Sequence, residues 1–114
     1  PDTAAWAGLG GSAAFVYTRE TLAVGHQFHA RMFWPAAGIR EDPATGSAVA
    51  ALAGVIHKFD AHPSGMRRIV VEQGFEMGRP SILSLSAEKS AGKIGAVKVA
   101  GKSVLVSQGT LRVR

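Results

Sequence analysis

Several segments of the chain alternate hydrophobic and polar residues with a period of two, as strands with one buried face do. Residues 81–87 alternate serine with isoleucine and leucine, and residues 28–33 alternate more loosely. Residues 13–18 and 67–73 are rich in β-branched and aromatic side chains, which favour strands. We therefore predict four strands at these positions.

The last third of the chain contains two more β-prone segments, residues 94–100 and 103–109, joined by Gly101 and Lys102. A glycine-containing pair between two such segments is typical of a hairpin, and we predict one here. Residues 111–113 are expected to complete the sheet.

The segment from Thr45 to about Phe59 has a different pattern, with alanine, valine, leucine, isoleucine and glycine at most positions. As a helix it would be apolar around most of its circumference, which is typical of a helix enclosed by other elements. We therefore predict an α+β domain in which a mostly antiparallel, barrel-like sheet is wrapped around one central buried helix.

Length and composition agree with one folded domain over residues 1–114, because 46% of the residues are hydrophobic. The chain has no cysteine, which excludes disulfides, a thiolate nucleophile and cysteine-ligated metals and is compatible with a reducing cytosol. No segment approaches the roughly 20 apolar residues of a membrane span, and the signal-peptide pattern is absent. We expect a cytoplasmic protein with no membrane partner.

The formal net charge of +5 raises nucleic-acid binding as an alternative function. The lysines and arginines are scattered, however, and they form no basic run interleaved with exposed aromatics. A basic isoelectric point alone implies only non-specific attraction to polyanions. We therefore expect no nucleic-acid partner; the alternative would require strongly salt-dependent DNA affinity.

The candidate chemistry lies where the apolar helix begins. Pro43 biases Asp42 toward an extended conformation, so Asp42 should lie at a bend with its carboxylate free to act as a general acid or base. The alternative is a structural turn residue, the commonest role of aspartate before proline. Glu41 is a weaker candidate, because a neighbouring side chain should point elsewhere.

The start of the same helix is a candidate anion site. Thr45 can cap the helix, Gly46 allows close approach to the backbone, and Ser47 offers a hydroxyl. Unpaired N–H groups there, aided by the helix dipole, can hold the carboxylate of a substrate. Plain capping and close packing are the alternative explanation for Thr45, Gly46 and Ser47.

The histidines suggest a metal site only weakly. Two of them are three residues apart in a predicted loop-to-strand region, which is poor ligand spacing, and no nearby acid completes a site. We expect surface or capping histidines and no metal. The histidines are His26, His29, His57 and His62.

Residues 73–81 are interpreted as a turn with a charge partner, in which Gly74 either breaks a strand or permits close backbone approach.

Four segments, in this order, resemble the phenazine-biosynthesis PhzF-like isomerase family, relatives of diaminopimelate epimerase. The most specific contains Glu-Asp-Pro-Ala-Thr-Gly-Ser-Ala. The resemblance implies two similar halves, each a barrel-like sheet around a helix, with a cofactor-free active site between them. The best-known member of this family isomerises trans-2,3-dihydro-3-hydroxyanthranilate by moving a proton from C3 to another ring carbon, so the resemblance implies proton transfer on a small carboxylate substrate of the phenazine-precursor type. The segments are residues 31–33, 38–48, 73–74 and 77–81.

This chain resembles the C-terminal half of such a protein. The resemblance implies that Asp42 is the active-site aspartate that helps hold the substrate, and that Gly46 and Ser47 are the binding pair at the helix start. The principal acid/base, a glutamate, and a histidine near it belong to the other half of the family fold and are not in this sequence.

Because those groups are not in this sequence, we expect the chain alone to be a poor isomerase. Its expected partners are a small carboxylate substrate and either the N-terminal half of the same fold or a second copy, with a homodimer as the expected assembly. The alternative function is a stand-alone, non-catalytic module that binds small anions or takes part in interactions.

Overall fold

The alternating segments form one six-stranded sheet in the computed structural model, which describes residues 3–8, 10 and 12–114. The strand order is β1-β2-β4-β5-β6, and β3 pairs with β2 beside this path. The four strands predicted in the first three-quarters of the chain are confirmed as β1, β2, β4 and β5. The strands are β1 (Ala14–Thr18), β2 (Phe28–Trp34), β3 (Ile39–Asp42), β4 (Gly65–Gln73), β5 (Ser81–Ser90) and β6 (Lys93–Gly101).

The helical elements are α1 (Thr3–Ala7), a 3-10 turn (Pro35–Ala37) and α2 (Gly46–Phe59). Within the described residues, no helix is both long enough and apolar enough to cross a membrane.

The strand pairing brings distant parts of the sequence to one edge of β2. Strand β4 runs parallel to β2, with Ala30 opposite Gln73, whereas β3 runs antiparallel to β2, with Met32 opposite Asp42. Both strands lie along the same edge of β2, on the side away from β1. The end of β4 therefore lies near the end of β3, and this position creates the candidate site.

Helix α2 packs against the sheet through one face. Its buried residues recur at the spacing of a single helical stripe and join the core residues of β2, β4 and β5. On the opposite side of the helix, Ala51, Gly54 and Lys58 are exposed, and 73% of Phe59 is exposed at the C-terminal end of the helix. The α+β class is confirmed, but within the described residues the sheet does not close around the helix, because the outer strands β1 and β6 do not pair. The buried stripe is Val49, Leu52, Ala53 and Ile56.

The predicted hairpin between residues 94–100 and 103–109 is wrong. Strand β6 pairs instead with the preceding strand β5, through a turn at Ala91 and Gly92. Both turn residues have positive φ, 50° and 75°, as a tight two-residue hairpin turn requires. Because β5 extends to Ser90, residues 93–101 already have a partner when the chain reaches Lys102.

Residues 102–114 form no strand, so residues 111–113 do not complete the sheet. The apolar side chains of this terminal segment are exposed: 85% of Val104, 81% of Leu105 and 92% of Val106. An exposed apolar segment that follows β6, the last strand in the order of the described sheet, is a feature that association with another structural unit would cover.

Candidate functional site

Asp42 is the last residue of β3 and is half-buried, and the chain bends at Pro43 before α2 begins. The bend predicted from the Asp-Pro pair is therefore confirmed. The Asp42 carboxylate accepts a hydrogen bond from the hydroxyl of Thr45. Asp42 is thus held at the entrance to the first turn of α2.

Thr45 occupies the N-cap position of α2, and its carbonyl accepts the N–H of Val49 at 3.1 Å. Its side chain makes no capping hydrogen bond, however, because the hydroxyl donates to Asp42 instead. The first-turn N–H groups have no intrahelical acceptor, and the usual side-chain cap does not cover them.

Gly46 and Ser47 begin α2, and Gly46 lines an open cleft of about 390 Å³. A Cβ atom on Gly46 would lie 3.9 Å from Val99 Cγ1, an ordinary contact, so packing does not require glycine here. This observation weakens the close-packing explanation for Gly46. Ser81 and Lys102 also line this cleft.

Gln73 joins this site from the end of β4, and our sequence interpretation of residues 73–81 did not identify its role. The side chain is fully buried. Its Oε1 accepts the Thr45 N–H at 3.0 Å, and its Nε2 donates to the Asp42 carbonyl at 2.8 Å and to Thr45 Oγ1 at 2.9 Å. An amide ending an apolar strand immediately before a glycine was the available sequence signal.

Gly74 brings the backbone after β4 against the bend at Pro43. Its φ is +81°, and a Cβ atom there would lie 2.3 Å from the Arg79 carbonyl oxygen and 2.8 Å from that of Pro43. The prediction that Gly74 permits close backbone approach is confirmed. Gln73 and Gly74 together hold the segment from Asp42 to Thr45.

A second polar cluster lies around Glu72, whose side chain points to the other face of β4 because side chains alternate along a strand. The Glu72 carboxylate is fully buried. It accepts N–H groups of Leu22 at 2.9 Å and Ala23 at 3.0 Å, and it contacts Nδ1 of His26 at 2.6 Å and of His29 at 2.7 Å.

The expectation of surface or capping histidines is therefore wrong for His26 and His29, since the missing acid comes from Glu72, more than 40 positions later. His29 also contacts Glu76 through Nε2 at 2.5 Å. Within residues 3–8, 10 and 12–114, no three His, Asp or Glu side chains are arranged to hold a metal ion.

Glu41, the weaker acid candidate, is engaged elsewhere. Its carboxylate pairs with the Arg31 guanidinium through two hydrogen bonds, of 2.9 and 3.0 Å. Met32 on β2 is paired with Asp42 on β3. Arg31 and Glu41 stand one position earlier on the same two strands, so their side chains point to the opposite face of the sheet from Asp42. Glu41 is thereby separated from the helix start.

The Glu72 cluster shifts the pKa values of its members in opposite directions. Burial opposes ionisation of Glu72, but hydrogen bonds from Leu22, His29, His26 and Ala23 outweigh it and lower the pKa to about 2. Burial also opposes charge on His29, yet its hydrogen bonds to Glu72 and Glu76 raise its pKa above 6.5. Ionised carboxylates only accept hydrogen bonds, so His29 is held as the imidazolium.

We expect the stability of the fold to be greatest between pH values of about 4.5 and 6.5. The lowered pKa of Glu72 contributes about 3 kcal/mol that is present above 4.5 and is lost as pH falls toward 2. The contribution of His29 is present below 6.5 and is lost as pH rises through its raised pKa. Thermal unfolding followed by circular dichroism, at pH values from about 2 to well above 6.5, measures both losses.

The variant His29→Gln is the control, because it removes the titrating imidazole and should remove the alkaline loss. An alkaline loss of the same size in His29→Gln would show that another group causes it.

Comparison with known proteins shows the family to which the chain belongs. A family model described as phenazine biosynthesis-like protein matches residues 1–109. An uncharacterized isomerase of Mesorhizobium japonicum is 45% identical over 97 residues, which are 85% of this chain and 32% of that protein. Trans-2,3-dihydro-3-hydroxyanthranilate isomerase of Pseudomonas chlororaphis is 39% identical over 87 residues, covering 76% of this chain and 31% of the enzyme.

The fold also matches a solved structure. The crystal structure of a PhzF-family phenazine biosynthesis protein from Bacillus anthracis has a TM-score of 0.67 and 20% sequence identity, covering 86% of this chain and 37% of that one. This structural similarity shows that the chain has a fold similar to part of that protein. The chain matches about a third of the length of the curated relatives named above.

Proposed function

Because the chain belongs to the phenazine biosynthesis-like family, we propose that it supplies the substrate-holding half of a cofactor-independent isomerase. The reaction is a proton transfer on a small carboxylate substrate, of the type named for the Pseudomonas relatives. The observation that supports this proposal most directly is the position of the Asp42 carboxylate beside the uncapped first turn of α2.

In this proposal the substrate carboxylate binds at the first turn of α2, where Gly46 and Ser47 provide backbone N–H groups and a hydroxyl. Asp42 contacts the polar part of the same substrate and takes part in acid/base chemistry. Proton abstraction next to a carboxylate also needs a second acid/base and exclusion of water. We assign the principal acid/base to a second structural unit, as the family resemblance implies.

The exposed apolar surface supports association with such a unit. Phe59 at the end of α2 and residues 104–106 after β6 have exposed apolar side chains. We propose that residues 1–114 form one domain, corresponding to the C-terminal half, and that an N-terminal half or a second copy of the chain covers this surface. Closure of the sheet around α2, a homodimeric assembly and a cytoplasmic location belong to the same proposal.

A non-catalytic small-anion binding module is the second candidate function. It is favoured by one observation: Glu41, the acid adjacent to Asp42 in the sequence, is engaged by Arg31 on the other face of the sheet. Glu41 therefore cannot act beside Asp42 as a second acid/base group. This candidate predicts binding of carboxylates without proton transfer.

The test uses a chimera in which this chain replaces the matching segment of the Pseudomonas chlororaphis isomerase. We expect the isolated chain to show no turnover of trans-2,3-dihydro-3-hydroxyanthranilate in D₂O, and the chimera to isomerise it with deuterium incorporation. The unmodified relative is the positive control. Robust turnover by the chain alone would contradict its assignment as half of an active site, and a folded chimera that binds substrate without exchange would favour the binding module.

A further inference from the structure

We propose that Gln73 is a positioning residue that acts through the Thr45 hydroxyl to fix the direction of the Asp42 carboxylate and to keep the start of α2 open. This inference rests on the proposed function of Asp42 and α2. It assigns a role to a buried amide that is distant from the Asp-Pro segment in the sequence and has no contact with the cleft.

The orientation of the Gln73 amide follows from its backbone partners. The Thr45 N–H can only donate, so the atom that faces it must be Oε1. The Asp42 carbonyl can only accept, so the atom that faces it must be Nε2. These two bonds fix the amide in one orientation, in which Nε2 has a second hydrogen for another acceptor.

That second hydrogen is directed at Thr45 Oγ1, 2.9 Å from Nε2. A hydroxyl that accepts from Gln73 has its own hydrogen free to donate, and the acceptor it contacts is the Asp42 carboxylate. The direction of the chain of hydrogen bonds is therefore set from Gln73 through Thr45 to Asp42. One carboxylate oxygen of Asp42, Oδ2, is occupied, which orients the group.

The same arrangement changes the helix start. An N-cap threonine normally turns its hydroxyl toward the N–H of the second or third helical residue. Here the hydroxyl makes no such bond, because Gln73 and Asp42 engage it. The first-turn N–H groups remain open to an anion, so a single interaction both orients Asp42 and leaves the proposed carboxylate site uncapped. Thr45 is then a positioning residue, and Gly46 and Ser47 remain the residues proposed to contact substrate.

The experiment measures the affinity of the 114-residue chain for anthranilate, a small amino-carboxylate, by NMR at the Gly46 and Ser47 amide signals. We expect Gln73→Met and Thr45→Val each to weaken binding about tenfold, because a misdirected Asp42 carboxylate loses one hydrogen bond to the amino group of anthranilate. Thr45→Ser keeps the hydroxyl and should restore most of the affinity. The double variant should bind no more weakly than Gln73→Met, because both changes break one relay.

Gln27→Met is the matched control. Gln27 also links two backbone groups, accepting the Val70 N–H and donating to the Gly25 carbonyl, both at 2.7 Å, but it lies away from Asp42. We expect it to lower the melting temperature about as much as Gln73→Met without weakening anthranilate binding. The proposal is overturned if Thr45→Val binds anthranilate as tightly as the wild type does. It is also overturned if the losses of affinity add up in the double variant, or if Gln27→Met loses as much affinity as Gln73→Met.

A second readout separates this inference from the proposed function. The Thr45 hydroxyl proton should give a resolved NMR signal in the wild-type chain and lose it in Gln73→Met, whether or not a ligand binds. If the wild type shows this signal but binds no anthranilate, the proposed function fails while the positioning role stands. Absence of the signal from the wild type would contradict the positioning role itself.

Discussion

Asp42→Asn is expected to lower the isomerisation rate of the chimera by about 10²- to 10⁴-fold, the usual contribution of a positioned acid/base group. The amide has nearly the size and shape of the carboxylate, but it lacks its charge and basicity. Its oxygen can still accept the Thr45 hydroxyl hydrogen, so the bend and the helix start should remain in place. The measurement is the rate of deuterium incorporation from D₂O at saturating substrate, where a loss in kcat reports on the chemical step.

Glu41→Gln is the matched control for Asp42→Asn. It makes the same chemical change one residue earlier, where the carboxylate pairs with Arg31 on the other face of the sheet. We expect a small loss of stability and a rate within about twofold of the parent, since a partly exposed ion pair contributes little. Equal losses in both variants would mean that the charge of this segment matters rather than the position of Asp42.

Gly74→Ala is expected to destabilise the chain by about 3–5 kcal/mol, at the upper end of single substitutions. The positive φ of +81° accounts for part of this loss, because L-residues avoid that conformation. The larger part comes from contacts of 2.3 Å to the Arg79 oxygen and 2.8 Å to the Pro43 oxygen. Backbone atoms cannot rotate away as a side chain can, so the bend at Pro43 must shift. Urea unfolding measures the loss.

Gly78→Ala distinguishes the two causes. Gly78 lies in the same turn with φ of +70°, but among the residues that the structure describes, and apart from its two chain neighbours, none has an atom within 4 Å of an added Cβ. We expect a loss of about 1–2 kcal/mol, from backbone conformation alone. If Gly78→Ala and Gly74→Ala are equally destabilised, the close approach to Pro43 carries no energetic weight.

Local patterns were sufficient where one element determines its own structure. Alternation predicted β2 and β5, the content of β-branched and aromatic residues predicted β1 and β4, and the Ala/Val/Leu-rich segment predicted α2 to within a residue. The same patterns misplaced the last hairpin, because residues 93–101 are equally suited to pairing forward or backward along the chain. The turn at Ala91 and Gly92 and the length of β5 decided in favour of backward pairing.

The candidate site divides in the same way. The sequence pointed to Asp42 and the start of α2 from adjacent residues alone, since proline and helix-start chemistry act over a few positions. It did not reveal that Gln73 bonds to Asp42 and Thr45, nor that Glu72 engages His26 and His29, because these partners are between 28 and 46 residues apart. Contacts between residues this far apart in the sequence depend on strand order and register, which the hydrophobic periodicity of a segment does not specify.

The sequence by itself thus determined the class of the fold, the position of helix α2 and the Asp-Pro bend, because backbone preferences and apolar periodicity are local properties. The tertiary structure alone decided which face of α2 is buried and which amide holds the bend. The parallel pairing of β4 with β2 places Gln73 beside Asp42 and Glu72 beside His29. A buried polar group is stable only where such partners meet it, and only the folded sheet brings them together.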